Sequence, residues 1–334
     1  MLRFRRTLAA AAALLLLLPG CRSTAAPSVS PTPAASAADP AAPQPLTFTD
    51  ALGYEVTLHS WERVVSLYGS FAETWTLAGG TLLGTTQDAV SERHMELGPD
   101  VAVVGTVKEP NLEEVLALAP DFVILSGDSA AQTALHESLC EANVPHAYYV
   151  VDRFEDYLAM LQQFCEMTGR SDLYEAYGTA VAQQVQAVRD LVAQQAPQGP
   201  SALLLRAYAT GCKAKGQDNL TGVMLADLGA QNIVEAHESL LEDLSMEEIL
   251  AADPETIFIT TMGADEQKAL DWVAQNLEAD PAWAGLAAVQ NGRCHVLPKE
   301  LFHYKPNARW AESYRTLAAL LYPELDAQLA ALAP

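Results

Sequence analysis

Cationic side chains are scarce in this sequence. Nineteen Lys and Arg stand against 42 Asp and Glu, a formal net charge of −23. That balance excludes a nucleic-acid binder, which needs a basic footprint to displace counterions from phosphates. Cysteine is scarce as well, five in 334 residues. The spacings of Cys140, Cys165, Cys212 and Cys294 match no zinc or redox pattern, so their pairing stays open and no metal site is read from them. The motifs of several enzyme classes are missing: there is no G-x-S-x-G elbow, no Walker loop, no G-x-G-x-x-G after a strand and no H-E-x-x-H. Long apolar runs are missing too. Leu8–Leu18 is too short for a comfortable bilayer span, and no later stretch is long and apolar enough.

That short run has another reading. Arg3, Arg5 and Arg6 precede it, and it ends at Leu18-Pro19-Gly20-Cys21, small residues before a cysteine. Residues 1–21 are therefore expected to be a signal peptide with a lipobox, in which Cys21 is lipidated. Residues 22–45 are Ala, Ser, Thr and Pro and read as a flexible tether, with a mean reach of roughly 25–30 Å. The expected location is outside the cytoplasm, lipid-anchored to the outer face of the cell membrane, or on the periplasmic side in a two-membrane cell.

Half of the residues are apolar, enough for a core in each of two domains. Between Asp172 and Gln195, apolar residues Leu173, Tyr177, Val181, Val185, Val188 and Val192 recur at helical spacing. Asp172 and Glu175 are expected to form a capping box for this helix. Related stretches flank it: NLEEVLALAPDFVILS at Asn111–Ser126 and SMEEILAADPETIFIT at Ser245–Thr260. Each reads as a short capped helix, a Pro turn and a buried strand. Strands alternate with helices along the rest of the chain. The fold expected is α/β: two doubly wound α/β lobes with parallel sheets, joined by one long helix, with a ligand cleft between the lobes. The boundaries expected are 46–151 for the N-terminal lobe, 152–197 for the connecting helices including the backbone helix, and 198–334 for the C-terminal lobe.

Ligands of open parallel sheets collect beyond the carboxyl ends of the strands. The positions so brought to the cleft are Tyr68, Ser70, Gln87, Asp88, Lys108 and Glu109 from the first lobe. The second lobe brings Arg206, Tyr208, Lys213, Lys215, Lys299, His303, Tyr304 and Lys305. In so acidic a protein, lysines gathered in two loops favour an anionic ligand. Glu113 and Glu247, in the first turns of the two repeated helices, complement the helix dipole. Alternatively, they present two matched acids to basic residues of a two-fold partner.

The stretches VVSLYGSFAETWTLAGG from Val64, PNLEEVLALAPDFVI from Pro110, LADLGAQNIV from Leu225, LSMEEILAADPETIFI from Leu244 and PAWAGLAAVQNGRCHVLP from Pro281 stand in order. With them the chain resembles the bacterial ABC-transporter substrate-binding lipoproteins of the iron-siderophore, haem and cobalamin type, the class with a single helical backbone. The resemblance implies a binding protein, not an enzyme and without a cofactor of its own. It implies a monomer that delivers its ligand to an ABC permease dimer with its ATPase, Glu113 and Glu247 docking on arginines of the two permease subunits. The ligand expected is an anionic metal chelate, a ferric siderophore. Haem is the alternative, with Tyr68, His303 and Tyr304 as iron ligands. Cobalamin is disfavoured, because Gln87-Asp88 and Val107-Lys108 stand where such members carry aromatic residues. A more distant alternative is a metallocofactor-processing enzyme on a related two-lobed scaffold.

Overall fold

The computed structural model describes residues 45–263 and 265–333. The expected signal peptide, Cys21 and all but the last residue of the tether lie outside the described residues. A hairpin of β1 (Leu46–Thr49) and β2 (Glu55–Leu58) opens the described chain. The first lobe then carries β3 (Val64–Ser66), β4 (Leu82–Thr85), β5 (Ala102–Val103), β6 (Phe122–Ser126) and β7 (His146–Tyr149). Their order is β5-β4-β3-β6-β7, all parallel. The chain winds outward from β3 in both directions, so the switch point lies beside the carboxyl end of β3.

The second lobe repeats the scheme around β8 (Ser201–Tyr208), with β9 (Gly211–Ala214), β10 (Gln231–Asn232), β11 (Thr256–Thr261) and β12 (Cys294–Val296). Strands β10, β8, β11 and β12 are parallel neighbours. Strand β9 departs from the expected all-parallel sheet: it folds back antiparallel on the end of β8, where a loop was expected. The turn at Ala209-Thr210 is short enough for a hairpin, and Gly211 leaves room for the Tyr208 ring (a Cβ there would lie 2.8 Å from it). The repeated stretches occupy equivalent places. Helices Leu112–Ala117 and Met246–Ala252 lead into β6 and β11, the strands just across the switch point in each lobe.

The joining helix has an end different from the one expected. It begins at Ser171 with no side-chain cap, and Asp172 pairs instead with the Arg170 guanidinium at 2.6 Å. A guanidinium fork next to a carboxylate outcompetes a single backbone N–H. Its second turn, Glu175–Thr179, is a π-turn; Gly178 sits so close to the Tyr174 ring that a Cβ would meet it at 2.8 Å. The regular helix runs over Ala180–Gln195, and Val181, Val185, Val188 and Val192 are buried on one face. Those valines belong to one continuous core holding Phe71, Trp75 and Phe122 of the first lobe and Leu204, Phe258 and Trp310 of the second. Burying each valine contributes roughly 1.5–3 kcal/mol, an upper bound given a compact unfolded chain. The two lobes thus share one core along the helix. The outer face of each sheet has its own smaller core.

Candidate functional site

The cleft is built where the carboxyl ends of the two sheets face each other. In the first lobe Tyr68 follows β3 in extended backbone and precedes helix Gly69–Leu77. The Gly69 N–H donates to Asp88 Oδ2 at 2.6 Å, and the Thr86 hydroxyl donates to Asp88 Oδ1 at 2.5 Å. Asp88 so ties the end of β4 to the end of β3. Only glycine fits at 69, because a Cβ would lie 2.6 Å from the Ala89 nitrogen. Burial raises the pKa of the Asp88 carboxyl, and the bonds from Thr86 and Gly69 work against that rise.

A cavity of about 410 Å³ separates the lobes. The first lobe lines it with Tyr68, Gln87, Asp88, Ser91, Glu92, Thr106, Val107 and Lys108, and the second with Met262, Gly263, His303 and Tyr304. Its size is that of a small-molecule site. The two phenols stay protonated. Burial raises the pKa of Tyr68 well above the usual phenol range, helped by Asp88, Asp128 and Glu92; burial and Glu92 raise that of Tyr304. Glu92 is itself raised by burial and by Asp88, with Lys299 pulling the other way. The His303 imidazole is held down to about 3, by burial first and then by Arg206, Lys299 and Lys305. It is therefore neutral at pH 7, and its Nδ1 is buried with no hydrogen-bond partner among the described residues.

Of the eleven ligand positions expected from the sequence, Tyr68, Gln87, Lys108, His303 and Tyr304 line this cavity. Lys299 stands beside it, its Nζ donating to the Gly263 carbonyl and lying 5.5 Å from the centre of the Tyr304 ring. Arg206 does not line the cavity; its Nε is buried without a partner among the described residues, and its charge helps to hold the His303 pKa down. The remaining four are elsewhere. Lys305 is buried, 3.3 Å from Asp152 Oδ1 and 3.9 Å from Asp128 Oδ2. Lys215 is ion-paired to Asp218. Lys213 is exposed on β9 opposite Arg206, and Tyr208 packs over Gly211 at the hairpin. The expected basic cleft is thus partly neutralised: carboxylates distant in sequence pair with Lys305, and one three residues away pairs with Lys215.

Glu92 and Met262 escaped the sequence reading. Met262 follows directly on β11, so a uniform reading of strand ends would have found it. Glu92 lies just past the short helix Asp88–Ser91, inside a stretch that reads as an irregular loop. Glu113 and Glu247 are exposed in the first turns of their helices. The residue before each helix caps it: Asn111 Oδ1 accepts from the Glu114 N–H, and Ser245 Oγ from the Glu248 N–H, both at 3.3 Å.

A sequence profile of the family described as periplasmic binding protein matches residues 64–301. The Fe(3+)-citrate-binding protein YfmC of Bacillus subtilis is 24% identical over 238 residues, 70% of this chain and 72% of that protein. The Fe(3+) dicitrate-binding periplasmic protein FecB of Escherichia coli is 24% identical over 245 residues, 69% of this chain and 74% of that protein. Among solved structures, IsdE of S. aureus complexed with heme superposes with a TM-score of 0.65 at 17% identity, covering 78% of this chain and 98% of that one.

Proposed function

The chain belongs to the periplasmic binding protein family, and from that premise we propose that it captures an anionic ferric chelate between its lobes and delivers it to an ABC permease. It is a binding protein, not an enzyme. The observation that carries the ligand class is the cavity itself. Tyr68 and Lys108 line it as donors, with Tyr304 beside Glu92 and a neutral His303. The Asp88 and Glu92 carboxyls on the same wall are raised by burial, and Arg206 and Lys299 add positive charge near His303. Carboxylate, hydroxamate or catecholate oxygens around a ferric ion are acceptors that such donors hold, most strongly where charge assists the bond. The ferric citrate named for YfmC and FecB is a chelate of that kind.

Glu113 and Glu247 are proposed as the permease contacts. Parallel strands put the first turn of each preceding helix at the carboxyl edge of its sheet, so the two lobes offer equivalent exposed carboxylates there. Lipidation of Cys21 would hold the protein beside that permease on the outer face of the membrane, and residues 22–45 would give it reach.

Tryptophan fluorescence of the full chain titrated with ferric citrate, a ferric catecholate, haemin and cobalamin tests the proposal. A ferric chelate is expected to give a saturable signal, and iron-free citrate none. Saturation by cobalamin alone would refute the ligand class. Haem is the second reading, favoured by Tyr68 and His303 facing one cavity. It requires a Soret shift with haemin that Tyr68→Phe or His303→Ala removes.

A further inference from the structure

At the amino edge of the first sheet, opposite the cleft, three soft or borderline donors come together. His136 and Cys140 are one helical turn apart on the helix His136–Glu141, and His146 opens β7. One ligand atom from each of the three lies within 4.8 Å of the others. His136 Nδ1 is 2.9 Å from His146 Nε2, and Cys140 Sγ is 3.8 Å from His136 Nε2. We propose that His136, Cys140 and His146 bind a divalent transition ion of the Zn2+ class.

The surroundings orient these donors as a metal site requires. His146 donates from Nδ1 to the Val144 carbonyl at 2.9 Å, which fixes the tautomer and leaves the Nε2 lone pair facing His136. The Tyr54 ring stacks on His136 at 3.9 Å and 17°, holding the imidazole plane. The hairpin that carries Tyr54 is itself pinned to β7, through Asp50 Oδ2 accepting from the Tyr148 N–H at 3.0 Å. A cavity of about 470 Å³ opens onto all three donors, with Glu55 on its wall. Zn–N and Zn–S bond lengths set donor separations of about 3.5 Å for a tetrahedron, against a present spread of no more than 4.8 Å; one nitrogen of His136 would serve as its ligand atom.

Two imidazoles and a thiolate select Zn2+ or its chemical neighbours and disfavour the hard ferric ion, so this site is distinct in kind from the cleft. Three protein ligands leave a fourth position for water. On binding, the metal takes the place of the Cys140 thiol proton, which passes to solvent. In sequence the ligands read H-x3-C-x5-H, a spacing that matches no familiar finger pattern; the turn between the helix and β7 brings His146 back to the other two.

The test is titration of the metal-stripped full chain with Co2+, read by absorbance. Visible d–d bands and a thiolate-to-cobalt charge-transfer band should saturate at one equivalent and disappear when Zn2+ is added. Cys140→Ser should abolish the charge-transfer band, and His146→Gln should weaken Co2+ affinity at least tenfold while keeping that band. The Cys140 side chain is exposed, so Cys140→Ser leaves folding intact and decides the matter even where His146→Gln does not fold. Absence of the charge-transfer band at saturating Co2+, or its survival in Cys140→Ser through another cysteine, would overturn the site.

Discussion

Lys305 Nζ lies 3.3 Å from Asp152 Oδ1, and the two residues are 153 positions apart in the chain. The contact joins the segment before the final helices to the end of the first lobe, and Asp128 stands 3.9 Å away on the same ammonium. A lysine that sequence alone assigns to the ligand is thereby committed to holding the lobes together. Its removal leaves the Asp152 and Asp128 carboxylates without their shared cation. Lys305→Ala is expected to cost about 1–2 kcal/mol of stability, less than a fully buried pair because Asp152 is half exposed. Ferric-chelate affinity should change less than about threefold. Urea unfolding beside fluorescence titration checks both.

The phenols in the cavity should behave differently. Tyr68→Phe and Tyr304→Phe each remove one donor from the cavity wall and should weaken ferric-chelate binding about tenfold, the scale of a hydrogen bond to a charged acceptor. Stability should move far less. Equal affinity of wild type and both variants in the same titration would remove the phenols from the site.

His303 makes a pH prediction. Its folded pKa is depressed to about 3 by burial first, and then by Arg206, Lys299 and Lys305, against an ordinary value of 6.5. Between those values the unfolded chain binds a proton that the folded chain refuses. Its contribution is therefore whole above pH 6.5 and is lost as pH falls toward 3, by up to about 1.4 kcal/mol per pH unit. Asp88, Glu92 and Asp128 are raised by burial and act in the opposite sense, losing their contribution as pH rises through their folded pKa values. Comparing wild type with His303→Gln separates the two. The stability of wild type relative to the variant should shrink as urea unfolding is repeated at pH 7, 6, 5 and 4.

Gly69 is fixed by space. A Cβ there would lie 2.6 Å from the Ala89 nitrogen and 2.7 Å from Asp88 Oδ2, so Gly69→Ala must push apart the ends of β3 and β4. A loss of about 1–3 kcal/mol is expected, with weaker chelate binding because Tyr68 moves with the turn. Calorimetric Tm and titration of the same preparation measure the two effects.

Glu113→Lys and Glu247→Lys should leave both stability and chelate affinity nearly unchanged, since the side chains are exposed. Uptake of the ferric chelate by cells should fall with either substitution and further with both. Normal uptake by the double variant would eliminate these carboxylates as permease contacts.

Much of this architecture is written in local sequence. The Val181–Val192 stripe specifies a helix, Asn111 and Ser245 specify two caps, and the repeated stretches specify equivalent units, because periodicity and capping involve neighbours within a few residues. Strand ends bring Tyr68, Gln87 and Lys108 to the cavity by the same alternation, whereas His303 and Tyr304 reach it after the short helix Lys299–Phe302. The beginning of the joining helix did not follow, because Arg170 competed for Asp172.

The sequence by itself determined two α/β lobes, a helical join and an acidic protein with a few lysines near its strand ends. Only the tertiary structure decided which of those lysines are free: Asp152 and Asp128 claim Lys305, and Asp218 claims Lys215. It alone set His146 beside His136 and Cys140. The Lys215–Asp218 pair and the His136–Cys140 spacing are local, three and four residues apart, but the partners of Lys305 and the approach of His146 depend on distances through space, which chain closure fixes.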